Sequence, residues 1–157
     1  MKKIKILLGF TLCFGVFYLF HLSSQVIYFK SWKKINEIYS IDSFFGKLNW
    51  LIEVCLSLIL LTSVIFIFLA LSKILKKGYF NITTSKSFKR AGFTLCFVSA
   101  LDLVKSVLEI SAGFHAEYYI GYSMFNVLLF LLSLGLLSIS QIIRNGSLLK
   151  QENDLTI

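Results

Sequence analysis

The sequence predicts an all-α integral membrane protein, a bundle of four helices that each cross the bilayer. Hydrophobic residues make up 57% of the 157 residues and charged residues only 15%, and the mean hydropathy is +0.79. Average soluble domains carry about 25% charged residues. A small soluble domain also leaves much of its surface in water. The excess apolar surface is therefore expected to face lipid, in a single membrane domain over residues 1–157.

Four apolar runs predict the membrane spans, at residues 6–22, 48–75, 91–114 and 122–143. A helix of about 20 apolar residues crosses a hydrocarbon core of about 30 Å, so the second and fourth runs qualify directly. The first run follows three lysines, as in a signal peptide, but it lacks a small-residue cleavage site and is expected to be retained. The chain has no proline, which favours continuous helices over the broken helices of many transporters.

Lysine and arginine predict the orientation of the spans. The net charge is +8, and most of the sixteen cations lie before span one, between spans two and three, or after span four. The positive-inside rule therefore places both termini and the middle loop in the cytoplasm, which requires an even number of spans. These cations are expected to contact anionic lipid headgroups rather than nucleic acid.

The outer segment between spans one and two, residues 23–47, predicts an interfacial helix. Tyr28, Trp32, Ile35 and Tyr39 fall on one face at helical spacing. Such a helix lies in the headgroup region or packs over the bundle. An aromatic membrane anchor and a ligand-binding cap are the two functional interpretations of this segment.

Span three carries three charged residues on one helix face. Asp102, Lys105 and Glu109 are three and four residues apart, and such spacing places side chains side by side. Asp102 is about 16 Å into the span, near the membrane midplane. Glu53 of span two is expected at a depth similar to Glu109. These four residues are predicted to form an intramembrane charged cluster.

The charged cluster has two interpretations, which the sequence leaves open. Lys105 could neutralise Asp102, so that the charges fix the register of the helices and nothing more. Alternatively the charges form a proton- or ion-coupled site, since ionisable residues inside a membrane are costly and are commonly retained for function.

The sequence predicts no metal site, no cofactor and no catalytic set. Cys13, Cys55 and Cys96 each lie inside an apolar run, where a cysteine behaves as a small hydrophobe and a disulfide framework is not expected. His21 and His115 lie at outer helix ends without the fixed spacing of metal ligands. The HExxH, GxSxG, P-loop and CxxC motifs are missing from the sequence, so an enzyme is not expected.

The middle loop and the tail hold the most specific local patterns. Gly78 predicts the end of the helix of span two, and the hydroxyl residues at 83–85 predict a cap for the next helix. Phe88 is expected to point inward, whereas Lys86 and Arg90 meet headgroups. The helix of span four is expected to end near residues 145–146, and the polar tail beyond it to dock onto another surface.

In these two segments the sequence resembles the bacterial domain-of-unknown-function 2975 family of membrane proteins. That family has a Gly-x-Phe turn after span two, a short Ser/Thr-to-Arg-x-Gly segment opening span three, and a tail of the form Phe/Ile-Arg-x-Gly-x-x-Leu-x-x-Glu-x-Asp-Leu-Thr. The matching loop residues are Gly78, Phe80, Arg90 and Gly92. The matching tail residues are Arg144, Gly146, Leu149, Glu152, Asp154, Leu155 and Thr156.

The resemblance implies a four-helix bacterial membrane protein and no established reaction. Genes of that family often lie beside those of small helix-turn-helix regulators, which implies a regulatory pairing. The resulting hypothesis is a non-enzymatic regulatory or interaction protein of the bacterial cytoplasmic membrane, with a cytoplasmic or membrane protein partner. The alternative is a small ion- or proton-coupled transporter that uses the charges of span three. The sequence does not indicate an oligomeric state.

Overall fold

The computed structural model describes residues 2–27, 44–111 and 116–155, and these residues form four long helices. The helices are α1 (Lys2–Ile27), α2 (Phe44–Lys77), α3 (Ile82–Ser111) and α4 (Ala116–Leu155). All four are long and apolar enough to cross a membrane. The predicted all-α, multi-pass membrane bundle is confirmed. The predicted interfacial helix falls on residues 28–43, which lie outside the described residues.

Two helices extend well past the apolar runs that predicted them. Helix α3 begins at Ile82 rather than near residue 91, and α4 continues to Leu155 rather than ending near residue 143. The expected helix end at residues 145–146 is therefore wrong. Gly146 lies inside α4, where the absence of a side chain makes room for the ring of Phe80.

The short loop between α2 and α3 is ordered by local hydrogen bonds. Gly78 ends α2 with a φ of 83°, and its amide donates to the Ile74 carbonyl at 3.0 Å, as predicted for a glycine after a helix. The cap of α3 differs from the prediction, because Asn81 provides it. The Asn81 side-chain oxygen accepts a hydrogen bond from the Thr83 amide at 2.8 Å. Asparagine suits this position because its side-chain oxygen reaches amides that the first turn leaves unsatisfied.

Each helix packs antiparallel on the next one in the chain. Helix α1 packs on α2, α2 on α3, and α3 on α4, and the described residues give no close backbone contact for the other helix pairs. The antiparallel order brings four basic segments to one end of the bundle. This basic end comprises the start of α1, the end of α2, the loop and start of α3, and the end of α4.

The interface between α3 and α4 is the most closely packed. Ser85 and Ser140 are buried against each other, and each hydroxyl donates to the other residue's backbone carbonyl, at 2.8 and 2.9 Å. A Cβ atom at Gly92 would lie 2.8 Å from the Leu137 side chain and 3.1 Å from the Ser133 carbonyl oxygen. Small and hydroxyl-bearing residues of this kind let membrane helices approach closely.

A compact apolar core lies near the basic end and joins α2, α3 and α4. Its buried members are Ala70, Leu71, Ile74, Phe88, Ala91, Leu95, Leu136 and Ile143. Phe88 points inward, as predicted, while Lys86 and Arg90 are exposed. Helix α1 contributes only partly buried residues, Ile4 and Leu8, to the edge of this core.

Candidate functional site

An ion pair links α2 to α3 inside the membrane-spanning region. The Lys105 ammonium binds the Glu53 carboxylate, and the two side chains are only 16% and 18% exposed. A charge in this setting is costly unless an opposite charge and hydrogen bonds compensate it. The sequence prediction that Glu53 and Lys105 meet between the two helices agrees with this contact.

Asp102 lies one helical turn from Lys105, towards the basic end, and is 4% exposed. The ion pair that the structure shows for Lys105 is made with Glu53 of the neighbouring helix. Neutralisation of Asp102 by Lys105 therefore stays a prediction. Glu109 occupies the next turn of α3, but its side chain lies outside the described residues.

Helix α1 adds a third element to this cluster through Tyr18. The Tyr18 and Ser57 hydroxyl groups are hydrogen-bonded, and Tyr18 interacts electrostatically with Asp102 and Glu53. Sequence reasoning missed this residue, because it is one of many aromatic residues in the first apolar run. Its only signal is a polar hydroxyl group well inside an apolar helix, where such a group commonly finds a partner.

A cavity of about 330 Å³ is lined by residues of all four helices, none of them charged. Its floor is formed by α2 and α3, where Ser63 and Leu95 are buried, and its sides by exposed residues of α1 and α4, among them Phe10, Phe14 and Phe125. Helices α1 and α4 do not approach each other in the described residues, so the cavity opens between them. Tyr18 lines this cavity and also touches the charged cluster.

The Ser63 hydroxyl group, like that of Thr84, differs from most hydroxyl groups in the described helices. Most of these donate to a backbone carbonyl one turn earlier, as Ser99 does to Leu95 at 2.8 Å and Thr62 to Ile59 at 2.7 Å. Ser63 is 1% exposed, and its oxygen has no hydrogen-bond partner. A buried polar group without a partner costs free energy, so a hydrogen-bond partner at Ser63 would be stabilising.

At the basic end, the loop packs against the tail part of α4. The Phe80 ring lies so close to Gly146 that a Cβ atom there would be 2.3 Å from it. Gly92 lies further along the interface of α3 with α4, where it faces Leu137 and Ser133. Residues of the loop and tail patterns that are distant in sequence are thus in contact.

Cationic side chains around the loop also have defined contacts. The Lys73 ammonium donates to the Ser87 hydroxyl at 2.7 Å. The Arg90 guanidinium lies 6.0 Å from the centre of the Phe66 ring, within reach of a cation–π interaction. Gly78 and Lys86 complete the predicted loop set, and both are exposed.

The predicted tail residues form the last turns of α4 rather than an irregular tail. Arg144, Leu149, Glu152 and Asp154 are exposed on this helix. Leu155 is its last residue, and Thr156 lies outside the described residues. The tail segment is therefore a continuous extension of a membrane helix, in contact with the loop through Gly146.

The cysteines and histidines give no sign of a metal or redox site in the part of the chain that the structure describes. Cys13, Cys55 and Cys96 are free thiols. No group of three or more His, Cys, Asp or Glu side chains comes together within residues 2–27, 44–111 and 116–155. His115 lies outside these ranges, and His21 is exposed near the end of α1.

The chain matches no protein-family model, and comparisons with characterised proteins and with solved structures find no match.

Proposed function

We propose that the protein is a non-enzymatic regulatory or interaction protein of the bacterial cytoplasmic membrane, which contacts a protein partner through its basic end. The observation that carries the proposal is the continuation of α4 as an ordered helix through residues 144–155. Both termini and the loop between α2 and α3 lie in the cytoplasm in this proposal, as the distribution of lysine and arginine favours. Membership of the domain-of-unknown-function 2975 family is part of the same proposal.

The length of α4 supports an interaction surface outside the hydrocarbon core. The helix has 40 residues, which corresponds to about 60 Å, whereas a span needs about 30 Å. The extra turns alternate charged residues such as Arg144 with exposed Leu148 and Leu149. An apolar pair on a polar helix is typical of a contact surface for another protein.

The loop gives this extension a fixed position. Phe80 packs on Gly146, and the Asn81 cap and the Gly78 turn order the loop itself. A pre-ordered surface loses less conformational entropy on binding than a flexible tail does. The proposed contact surface therefore consists of the loop residues 78–81 and the exposed face of the extension.

Site-specific photocrosslinking in living cells tests the proposal. A photoreactive amino acid at Leu149, which is 61% exposed, should give a discrete adduct with a partner protein. Leu131 is the matched control, because it is 57% exposed and lies five helical turns earlier on the same face of α4. It should label lipid and give no discrete protein adduct.

A second variant links the adduct to the structure of the basic end. Gly146→Leu displaces Phe80, so the adduct from position 149 should decrease while the amount of membrane-inserted protein stays constant. Absence of any protein adduct from position 149, in cells that make the full-length chain at its normal level, would contradict the proposal.

The alternative function is a small ion- or proton-coupled transporter. The observation in its favour is the cluster of Glu53, Lys105, Asp102 and Tyr18, which joins three helices within the membrane. Intramembrane charges of this kind line proton and ion pathways in many transporters. The transporter predicts pH-dependent solute flux in proteoliposomes that disappears in Asp102→Asn. A broad panel of solutes without flux would count against it.

A further inference from the structure

We infer that a groove between α2 and α3 at the basic end binds the phosphate group of one anionic phospholipid, whose acyl chains lie along the apolar part of the same groove. This cationic groove consists of Lys73 and Lys77 of α2 and of Ser87 and Arg90 of α3. The inference goes beyond the proposed protein contact, which uses the loop residues 78–81 and α4, and does not depend on it.

Two cationic side chains cross the groove in opposite directions. The ammonium group of Lys73 on α2 donates to the Ser87 hydroxyl of α3 at 2.7 Å. The guanidinium group of Arg90 on α3 lies 6.0 Å from the centre of the Phe66 ring of α2, within reach of a cation–π interaction. Lys77 lies one turn from Lys73 on the same face of α2. Lys73 and Arg90 are therefore each held at the boundary between α2 and α3 by a contact on the opposite helix.

Helices α1 and α4 pack on the other sides of this helix pair. On α2, Val64 is in contact with α1, and Phe66 lies two residues further, about 160° around the helix. On α3, Gly92 is in contact with α4, and Arg90 lies two residues earlier, again about 160° around the helix. Among the described helices, only α2 and α3 therefore border the cationic groove, which opens to the lipid.

The cations of the groove lack a protein counter-charge in the part of the chain that the structure describes. Within residues 2–27, 44–111 and 116–155, none of Lys73, Lys77 and Arg90 forms an ion pair with a carboxylate. The first acidic residue of α3, Asp102, is twelve residues from Arg90, which is about 18 Å along the helix. A lysine that is partly buried among membrane helices, as Lys73 is, is costly without an opposite charge. A bound anion would supply that charge.

The groups of the groove suit a phosphate at the membrane boundary. A guanidinium group binds phosphate with two parallel hydrogen bonds. An ammonium group has three donors, and Lys73 uses one of them on Ser87. Lys77 is the last residue of α2, so the groove lies where the helix leaves its apolar run, at the depth of lipid headgroups. Basic pockets between membrane helices at this depth bind anionic headgroups.

The apolar continuation of the groove favours a phospholipid over a free phosphate. Phe97 and Leu101 lie seven and eleven residues beyond Arg90 on the same face of α3, and they are 55% and 42% exposed. On α2, Leu69 lies one turn before Lys73 and is 40% exposed. These side chains give acyl chains an apolar surface directly beside the phosphate position, which a soluble phosphate has no chain to use.

Photolabelling of the purified full-length chain in a non-ionic detergent tests the inference. The probe is a phosphatidylglycerol with a diazirine in one acyl chain, and mass spectrometry locates the labelled residues. Labelling should saturate and should map to the groove side of α2 and α3, around Leu69, Phe97 and Leu101. Unlabelled phosphatidylglycerol should compete with the probe, and zwitterionic phosphatidylethanolamine should compete about tenfold less well. Inorganic phosphate should not compete.

A pair of double variants separates the groove from the general charge of the basic end. Lys73→Gln/Arg90→Gln removes two charges of the groove and should raise the half-saturating probe concentration about tenfold. Lys3→Gln/Lys5→Gln is the matched control, because it also removes two charges from the basic end. These two lysines are exposed on α1, which packs on the other side of α2, so the control should bind the probe like the parent.

Each outcome decides the inference. Equal weakening in the two double variants would show a diffuse attraction of the basic end for anionic lipid, and the inference would be wrong. Labels that map away from the groove, equal competition by phosphatidylethanolamine, or competition by inorganic phosphate would also overturn it. If Lys73→Gln/Arg90→Gln does not yield folded protein, the map and the competition on the parent chain still decide.

The lipid site and the proposed protein contact fail separately. The adduct from position 149 reports on α4 and should be the same in Lys73→Gln/Arg90→Gln as in the parent. Loss of the adduct with intact lipid labelling would contradict the protein contact alone, and the reverse result would contradict the lipid site alone.

Discussion

The α3–α4 hairpin and helix α1 are both membrane-spanning, but they are held by different contacts. The hairpin interface contains Gly92 in close contact with α4 and the reciprocal hydrogen bonds of Ser85 and Ser140. In α1, none of the described side chains is buried. Phe17 and Phe20 are 72% and 73% exposed, and the helix packs on α2 alone among its described neighbours.

The difference shows what stabilises a helix contact in lipid. Apolar side chains gain little from facing each other there, because lipid chains are equally apolar, so close backbone approach and interhelical hydrogen bonds decide. The hairpin has both kinds of contact. Helix α1 contacts α2 at Gly15, where an added Cβ would make an ordinary van der Waals contact with Val64 at 3.6 Å, and through a hydrogen bond between the Tyr18 and Ser57 hydroxyl groups. The cavity lies between α1 and α4, and Phe10 and Phe14 of α1 line it.

Enlarging Gly92 should have the largest effect on stability. In Gly92→Leu the new side chain meets Leu137 and the Ser133 carbonyl, so α3 and α4 have to separate. We expect the free energy of unfolding to fall by about 3 kcal/mol, at the upper end of the usual cost of overpacking. Steric trapping or unfolding in mixed micelles measures this change.

Gly135→Leu is the control for the hairpin prediction. A Cβ atom at Gly135 meets nothing within 4 Å, although the residue lies in the middle of α4. Gly135→Leu should leave the unfolding free energy almost unchanged. Gly146→Leu is not a suitable control, because it alters the basic end. Equal losses for Gly92→Leu and Gly135→Leu would show that helix propensity, rather than the interface, determines the effect.

Removing one partner of the ion pair should have an intermediate effect. Glu53→Gln leaves the Lys105 ammonium without the carboxylate that binds it. We expect a loss of about 1–2 kcal/mol, because intramembrane polar contacts are weaker than the burial of a charge alone suggests. The double variant Glu53→Gln/Lys105→Met should recover most of the loss in the same unfolding assay.

The double-mutant cycle also tests the two interpretations of the charged cluster. Recovery in the double variant assigns the pair a structural role. If Glu53→Gln and Lys105→Met each unfold like the parent, the pair is not needed for folding, and transport measurements centred on Asp102 gain weight.

The number and order of helices could be predicted because long apolar runs have few alternatives in a membrane. The positions of the helix ends could not be predicted in this way. Apolar length predicts where a helix leaves the hydrocarbon core, and α4 continues beyond that point to Leu155. The Asn145–Gly146 pair resembles a helix end, but Gly146 serves the contact with Phe80, which no local pattern reveals.

The sequence predicted which charged residues form the candidate site better than it predicted which of them pair with each other. The spacing along α3 and the similar depth of Glu53 on α2 predicted that Glu53, Asp102 and Lys105 lie close together. Depth alone does not predict which carboxylate binds Lys105. Tyr18 was missed because the rotation of α1 about its axis depends on packing. The cavity was missed for the same reason, since it arises from the distance between α1 and α4.

Weakening the contact of α1 with α2 should have the smallest effect on stability. It is also the most direct test of the difference between α1 and the α3–α4 hairpin. Cysteines at Gly15 and Val64, in a chain whose native cysteines are replaced by alanine, should form a disulfide, since these positions are in contact. Tyr18→Phe removes the hydrogen bond to Ser57. The contact between α1 and α2 should then lose about 0.6 kcal/mol of free energy, which should lower the disulfide yield roughly threefold. Phe17→Ala, on the exposed side of α1, should not change it. Equal yields in the two variants would mean that apolar packing alone holds α1, and the charged cluster would then comprise α2 and α3 only.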